Sequence, residues 1–175
     1  MKNVTSFLFV LAAVVLFGSS NVQALTFNPF KRVARVQNNT LIIAGNIIAS
    51  RLLADLAQYH SKQPILLISP ESDGNARIYY APARSRATES NQDSFMDLVN
   101  FINPKRIVVL GGNDYVDTKF VDMARAKYPV IILDSNNWSQ NAQSLGELLD
   151  IRGLDSQYNE YKANIDAVYN QKDAK

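Results

Sequence analysis

A chain of 175 residues with 18 Lys+Arg, 16 Asp+Glu, one histidine and no cysteine is confined to a narrow set of chemistries. Disulfides, cysteine-linked lipid anchors and thiolate metal sites are excluded, and a lone histidine makes a classical zinc centre untenable. A net charge of +2 argues against a general nucleic-acid or membrane-surface binder.

Residues 1–24 have the pattern of a cleavable signal peptide. Lys2 supplies the positive start, Phe7 to Phe17 is an unbroken apolar and small-residue run, and Val22-Gln23-Ala24 offers small residues for cleavage. The run is shorter than the roughly 20 apolar residues of a membrane span. The expectation is export to the periplasm or cell surface after cleavage near Ala24. Loss of Lys2 leaves a nearly neutral chain of about 150 residues, one domain's worth. Residues 25–153 are expected to form an α/β domain, and residues 154–175 a C-terminal amphipathic helix and tail. Pro29 breaks any helix in Leu25 to Val36, Val33 to Val36 suits a short edge strand, and Asn38-Asn39 makes a turn.

Thr40 to Asn46 (TLIIAGN) reads as a buried strand, and Ile47 to His60 as a helix with Ile48, Leu52, Leu56 and Tyr59 at helical spacing. Gln63 to Ser69 (QPILLIS) is the next strand. The same unit returns later. Arg106 to Asn113 (RIVVLGGN) has apolar residues without alternation, which suits a strand covered on both faces. A helix over Val116 to Ala126 and a strand over Pro129 to Asp134 complete it. Laying Gly45-Asn46 on Gly112-Asn113 brings Pro64 within about two residues of Pro129, an internal repeat of one βαβ unit. Any two βαβ units share such features, and either way the sheet is parallel. The expected fold is a three-layer, Rossmann-like α/β domain with a four-strand parallel core and a C-terminal helix.

Between the units, Pro70 to Gln92 keeps no helical period, although Arg77 to Tyr80 suits a brief strand. Arg77, Arg84 and Arg86 near Tyr79 and Tyr80 would make a basic, aromatic-flanked loop. Arginine forks suit phosphate and carboxylate groups; a plain solvated loop would use the same residues. Asp93 or Ser94 is positioned to cap a helix from Ser94 to about Phe101, with Phe95, Leu98, Val99 and Ile102 inward, stopped by Asn103-Pro104.

In open α/β sheets, ligands bind outside the carboxyl ends of the strands. That rule assigns Asn46, Gly112, Asn113, Asp114, Asp134, Asn137 and Trp138 to one rim. Asp and Asn are also favoured in turns and caps for local reasons. Ser139 or Asn141 starts a helix ending near Gly153. Leu154, Tyr158, Tyr161, Ile165 and Val168 then recur at four and three, a narrow stripe that must dock on its own domain or on a second chain as a homo-oligomer. No nucleophile elbow, phosphate loop or dinucleotide fingerprint occurs. No catalytic residue, metal or cofactor is therefore assigned.

Several stretches resemble the cell-wall-binding repeat 2 family of Gram-positive surface proteins. LIIAGNIIASRLLADLAQYHSKQPILLIS (residues 41–69) is similar to its strand, glycine, "ADAL"-type helix and "PILL" strand. INPKRIVVLGGNDYV (residues 102–116) is similar to its "ivGG" segment. DSNNWSQNAQSLGELL (residues 134–149) stands where the family has an Arg-Tyr-Glu-Thr helix start, which Trp138 to Asn141 replaces. The resemblance covers about residues 36–151 and implies non-covalent attachment to an anionic cell-wall glycan. Family members carry three tandem modules, and this chain has room for one. The leading expectation is thus a non-catalytic envelope module for an anionic glycan or polymer. The alternatives are a small periplasmic hydrolase or transferase using Asp114 or Asp134, or an interaction protein acting through its last helix.

Overall fold

The structure, a computed structural model, describes residues 39–83 and 85–173. The expected signal peptide, the Val33 to Val36 strand and Arg84 lie outside the described residues. Six strands form one sheet: β1 (Thr40–Gly45), β2 (Ile65–Pro70), β3 (Ala76–Ala81), β4 (Thr88–Asn91), β5 (Arg106–Leu110) and β6 (Val130–Leu133). Their order is β4-β3-β2-β1-β5-β6, with β2, β1, β5 and β6 parallel and the β3–β4 hairpin antiparallel at one edge. The four-strand parallel core matches the expectation. Its strands carry the uninterrupted apolar runs that burial on both faces requires, and every residue of β1 is buried.

Alternation along the strands sends successive side chains to opposite faces. Ile42, Ala44, Ile65, Leu67, Val108 and Leu110 share one face with α1 (Ile48–Ser61), α4 (Trp138–Leu149) and the start of α5 (Leu154–Asp173). Leu41, Ile43, Leu66, Ile68, Ile107 and Val109 point the other way. There α2 (Phe95–Ile102) and α3 (Thr118–Arg125) pack on each other, with the Phe95 and Phe120 rings edge to face at 5.0 Å. Each fully buried Leu, Ile or Phe contributes roughly 1.5–3 kcal/mol to this core.

Three local expectations change. The buried face of α1 is Ser50, Leu53, Ala54 and Ala57, while Ile48 is 46 % and Tyr59 70 % exposed. Small residues bring the helix close to the sheet, and Leu52 and Leu56 flank the contact instead of centring it. In the segment after Pro70 the brief strand expected over Arg77 to Tyr80 is present as β3, and the stretch expected to be loop beyond it holds β4, which reads Thr-Glu-Ser-Asn and so gives no apolar signal. Ser94 stands at the N-cap position of α2 as expected but makes no side-chain capping bond; the capping side chain is Asn91, at the start of a 3-10 turn (Gln92–Ser94), whose oxygen accepts from the Ser94 N–H at 3.1 Å.

The helical stripe at the end of the chain is divided. Leu154 and Tyr158 enter the domain's own core, whereas Tyr161 and Val168 stay about half exposed. Helix α4 ends at Leu149 with Asp150 in the left-handed region (φ 55°), and Gly153 (φ 68°) makes the turn into α5. Phe120 is 1 % exposed and joins α3 to α2. Phe120→Ala should cost about 3–5 kcal/mol, read as a lower urea midpoint at an unchanged slope.

Candidate functional site

The strand order reverses between β1 and β5: the chain leaves β1 towards β2 on one side and β5 towards β6 on the other. The carboxyl ends of β1 and β5 therefore frame the switch point at which doubly wound sheets take ligands. Here Tyr115 occupies it. A Cβ added at Gly45 would stand 2.4 Å from the Tyr115 carbonyl oxygen, and one added at Gly111 2.6 Å from the Tyr115 ring. Gly111 also has φ +88°, which L side chains rarely adopt. The repeat is thus off by one residue from its apparent alignment: Ala44 pairs with Leu110, which places Gly45 beside Gly111 and not Gly112.

The loop around Tyr115 is closed by its own backbone. The Tyr115 and Val116 N–H groups donate to the Gly112 carbonyl at 2.9 and 3.1 Å. On the β1 side, the buried Ser50 hydroxyl donates to the Gly45 carbonyl at 2.7 Å and ties α1 to the strand end. After β6, Asn141 is 2 % exposed. Its side-chain amide accepts from the Ser135 N–H at 3.0 Å and donates to the Ser135 carbonyl at 2.8 Å, which pins the turn into α4. Asn137 caps α4 by accepting from the Ser139 N–H at 3.0 Å.

These turns carry an aromatic pair. Trp138, the first residue of α4, donates its indole N–H to the Tyr115 hydroxyl at 3.2 Å, with ring centroids 4.9 Å apart and edge to face. Both residues are half-buried. Tyr158 lies beneath, its ring stacked on Trp138 at 6.4 Å. The Tyr158 hydroxyl is buried without a hydrogen-bond partner. Burial first, then the nearby Tyr115 hydroxyl and Asp166 carboxylate, push its pKa up to about 12.

The rim residues fall around this pair. Asn46 follows β1 and accepts from Arg51 at 3.3 Å. Asn113 accepts from the Thr118 hydroxyl at 2.8 Å. Asp114 and Asp134 are exposed, and a Cβ on Gly112 would stand 3.7 Å from the Asp134 Cβ. Asn46, Gly112, Asn113, Asp114, Asp134, Asn137 and Trp138 therefore share the carboxyl edge.

The basic segment does not join them as one site. Arg77 is at the carboxyl end of the sheet, but its guanidinium is bonded to Glu71 and, at 3.1 Å, to Glu89. Tyr79 packs against the α1-side core. Tyr80 is 3 % exposed, with its phenol pKa pushed up by burial, so its ring belongs to the interior. Arg86 is exposed in the β3–β4 connection, at the amino end of the parallel strands. A cleft of about 320 Å³ at the α4–α5 turn, lined by Glu147, Asp150 and Arg152, is likewise remote from the rim.

Tyr115 and Ser50 are the residues that sequence reading passed over, and Asn141 is legible there only as a helix start, not as the residue that pins the Ser135 turn. For Tyr115 the available signal was an aromatic four residues after a glycine that follows a buried strand. Among the described residues no group of three metal-ligating side chains occurs, and no helix is long and apolar enough to cross a membrane. Comparison with protein-family models, curated proteins and solved structures finds no match. The resemblance to cell-wall-binding repeats gains no support from them.

Gly45→Ala should cost about 3 kcal/mol, the upper end for an overpacked site, because the obstruction is backbone; a melting temperature equal to the wild type would contradict this packing. Tyr158 has its own signature. Its protonated form is favoured in the fold, so its contribution is complete below the unfolded tyrosine pKa near 10 and disappears as pH rises towards about 12. Denaturation midpoints should fall across that window in the wild type and fall less in Tyr158→Phe. At neutral pH that variant should be at least as stable, since it removes an unpartnered buried hydroxyl.

Proposed function

We propose that this chain is a non-catalytic glycan-binding module of the cell envelope and that the carboxyl rim is its binding surface. The observation that carries this reading is the Tyr115–Trp138 pair, half-buried and hydrogen-bonded, set among Asn46, Asn113, Asp114, Asp134 and Asn137. Aromatic faces supply flat apolar area with a polar handle. Asn and Asp side chains accept hydrogen bonds from ring hydroxyls, and the amides donate as well. A sugar needs both kinds of contact at once. The signal-peptide pattern of residues 1–24 supports action outside the cytoplasm.

The charges favour a neutral or amino-substituted glycan over an anionic one. Of the seven rim residues the two ionisable ones, Asp114 and Asp134, are carboxylates, and the adjoining Arg51, which bonds Asn46, is paired with Asp55 at 3.5 Å. Arg77 is already bonded to two glutamates, and Arg86 is at the other end of the sheet. Binding to chitin or isolated peptidoglycan is therefore expected to change little with salt, since surface charge pairing contributes little of it. Trp138→Ala should weaken that binding by about 2 kcal/mol, roughly thirtyfold in Kd, with an unchanged far-UV circular dichroism spectrum confirming the fold. Equal retention of both proteins would remove the rim from the reading. Salt-sensitive retention on polygalacturonate alone would return it to the arginine segment.

A further inference from the structure

We propose that the free edge of β6 is a self-association surface, on which a second copy of this chain lays its own β6 antiparallel to give a two-fold dimer with one continuous sheet. The sheet has two outer strands, β4 and β6. β4 reads Thr-Glu-Ser-Asn, and its Glu89 pairs with Arg77 at 3.1 Å, so charge stands on that edge. Edge strands carry such charges because their unpaired backbone groups otherwise template further pairing. β6 reads Val-Ile-Ile-Leu, with no charge inside it. It is as apolar as the central β5, yet all four of its residues are only half-buried while Ile107 to Leu110 are buried.

The hydrogen-bond register shows which β6 groups are free. The Ile107 N–H donates to the Pro129 carbonyl and the Gly111 N–H to the Leu133 carbonyl, each at 2.8 Å. Bonding residues alternate along a parallel ladder, so Pro129, Ile131 and Leu133 address β5, and Val130 and Ile132 address the outside. Pro129 lies in the inward register and leaves the outer edge open. Among the described residues no strand pairs with the outward N–H and C=O groups of Val130 and Ile132. Flanking Ile131 as they do, these groups are self-complementary about a two-fold axis through it. Val130 of each copy then exchanges N–H···O bonds with Ile132 of the other, and the Ile131 side chains meet on the axis.

Charge selects the antiparallel arrangement. Residues 127–134 read Lys-Tyr-Pro-Val-Ile-Ile-Leu-Asp, basic at one end and acidic at the other, with Lys127 and Asp134 both exposed. Antiparallel strands set Lys127 of each copy beside Asp134 of the other, whereas parallel strands would set like beside like. The Lys127 ammonium donates to Asn100 at 2.7 Å and keeps two further donors. The dimer uses both β6 edges and leaves only the charged β4 edges outside, so the sheet stops growing at two copies. The pairing does not depend on what the rim binds.

Sedimentation equilibrium of the purified chain from about 1 μM to about 1 mM should show a reversible monomer–dimer equilibrium with no larger species. Amide hydrogen exchange, followed residue by residue by NMR, locates the contact. The Val130 and Ile132 amides should gain protection as concentration rises, whereas those of Ile131 and Leu133 are protected throughout. Ile132→Pro removes an outward donor and no bond to β5. It should weaken the dimer by at least about tenfold, with an unchanged far-UV circular dichroism spectrum. If that variant loses its fold, the wild-type exchange pattern decides alone. A monomer at every concentration, a dimer whose Val130 and Ile132 amides still exchange freely, a dimer that a folded Ile132→Pro leaves intact, or growth beyond two copies would each overturn the proposal.

Discussion

The close approach of Tyr115 to Gly45 and Gly111 is the constraint on which the carboxyl edge depends. Neither glycine position has room for a Cβ, because the Tyr115 carbonyl and ring already stand there. With that space filled, the β5–α3 loop is drawn over the strand ends, and the Tyr115 hydroxyl comes within reach of the Trp138 indole. Trp138 in turn covers Tyr158 and so couples the rim to α5. One tyrosine thus connects two strand ends, the start of α4 and the last helix. The contacts are mostly apolar and steric, so they resist salt and pH across the ordinary range.

Filling the switch point with protein also changes what the fold can bind. In doubly wound sheets a glycine turn lets a phosphate approach the backbone and the helix behind it. Here the equivalent glycines admit an aromatic side chain from the same chain. The surface left for a ligand is therefore above the crevice: two half-buried aromatic rings and a ring of amides and carboxylates. Rigidity comes from below, through the Ser50–Gly45 bond and the two bonds from Asn141 to Ser135. Such a surface suits recognition by contact and hydrogen bonding more than by charge.

Much of this was legible in the residues. Buried parallel strands announce themselves by continuous apolar runs, and Ile42, Leu66, Val108 and their neighbours are buried as that pattern requires. The placement of Asn46, Asn113, Asp134 and Asn137 on one edge followed from the rule that ligands sit outside the carboxyl ends of strands. What escaped was long-range. β4 has polar alternation too short to distinguish from a loop, and it exists because β3 offers it an edge. The arginines near Tyr79 and Tyr80 look clustered in sequence, but an antiparallel strand sends Arg77 and Arg86 to opposite ends of the sheet. The role of Tyr115 could not be read from its neighbours, since the space it fills belongs partly to Gly45, seventy positions earlier in the chain.

The last helix shows how one pattern can serve two environments. Leu154 and Tyr158 are the first two members of a stripe that continues through Tyr161, Ile165 and Val168, and only those two are fully buried. Asn159 of α5 bonds Ser139 at the start of α4, and α5 runs on to Asp173, about 20 Å further at the usual helical rise. An isolated helix of that length is marginal in water. This one continues from an anchored first half, which removes the cost of nucleation, and is braced by the Lys162–Asp166 pair at 2.5 Å. Its ordering is therefore a consequence of the core contact at Tyr158. Because Tyr158 is also the floor under Trp138, the projecting half of α5 and the rim share a single support.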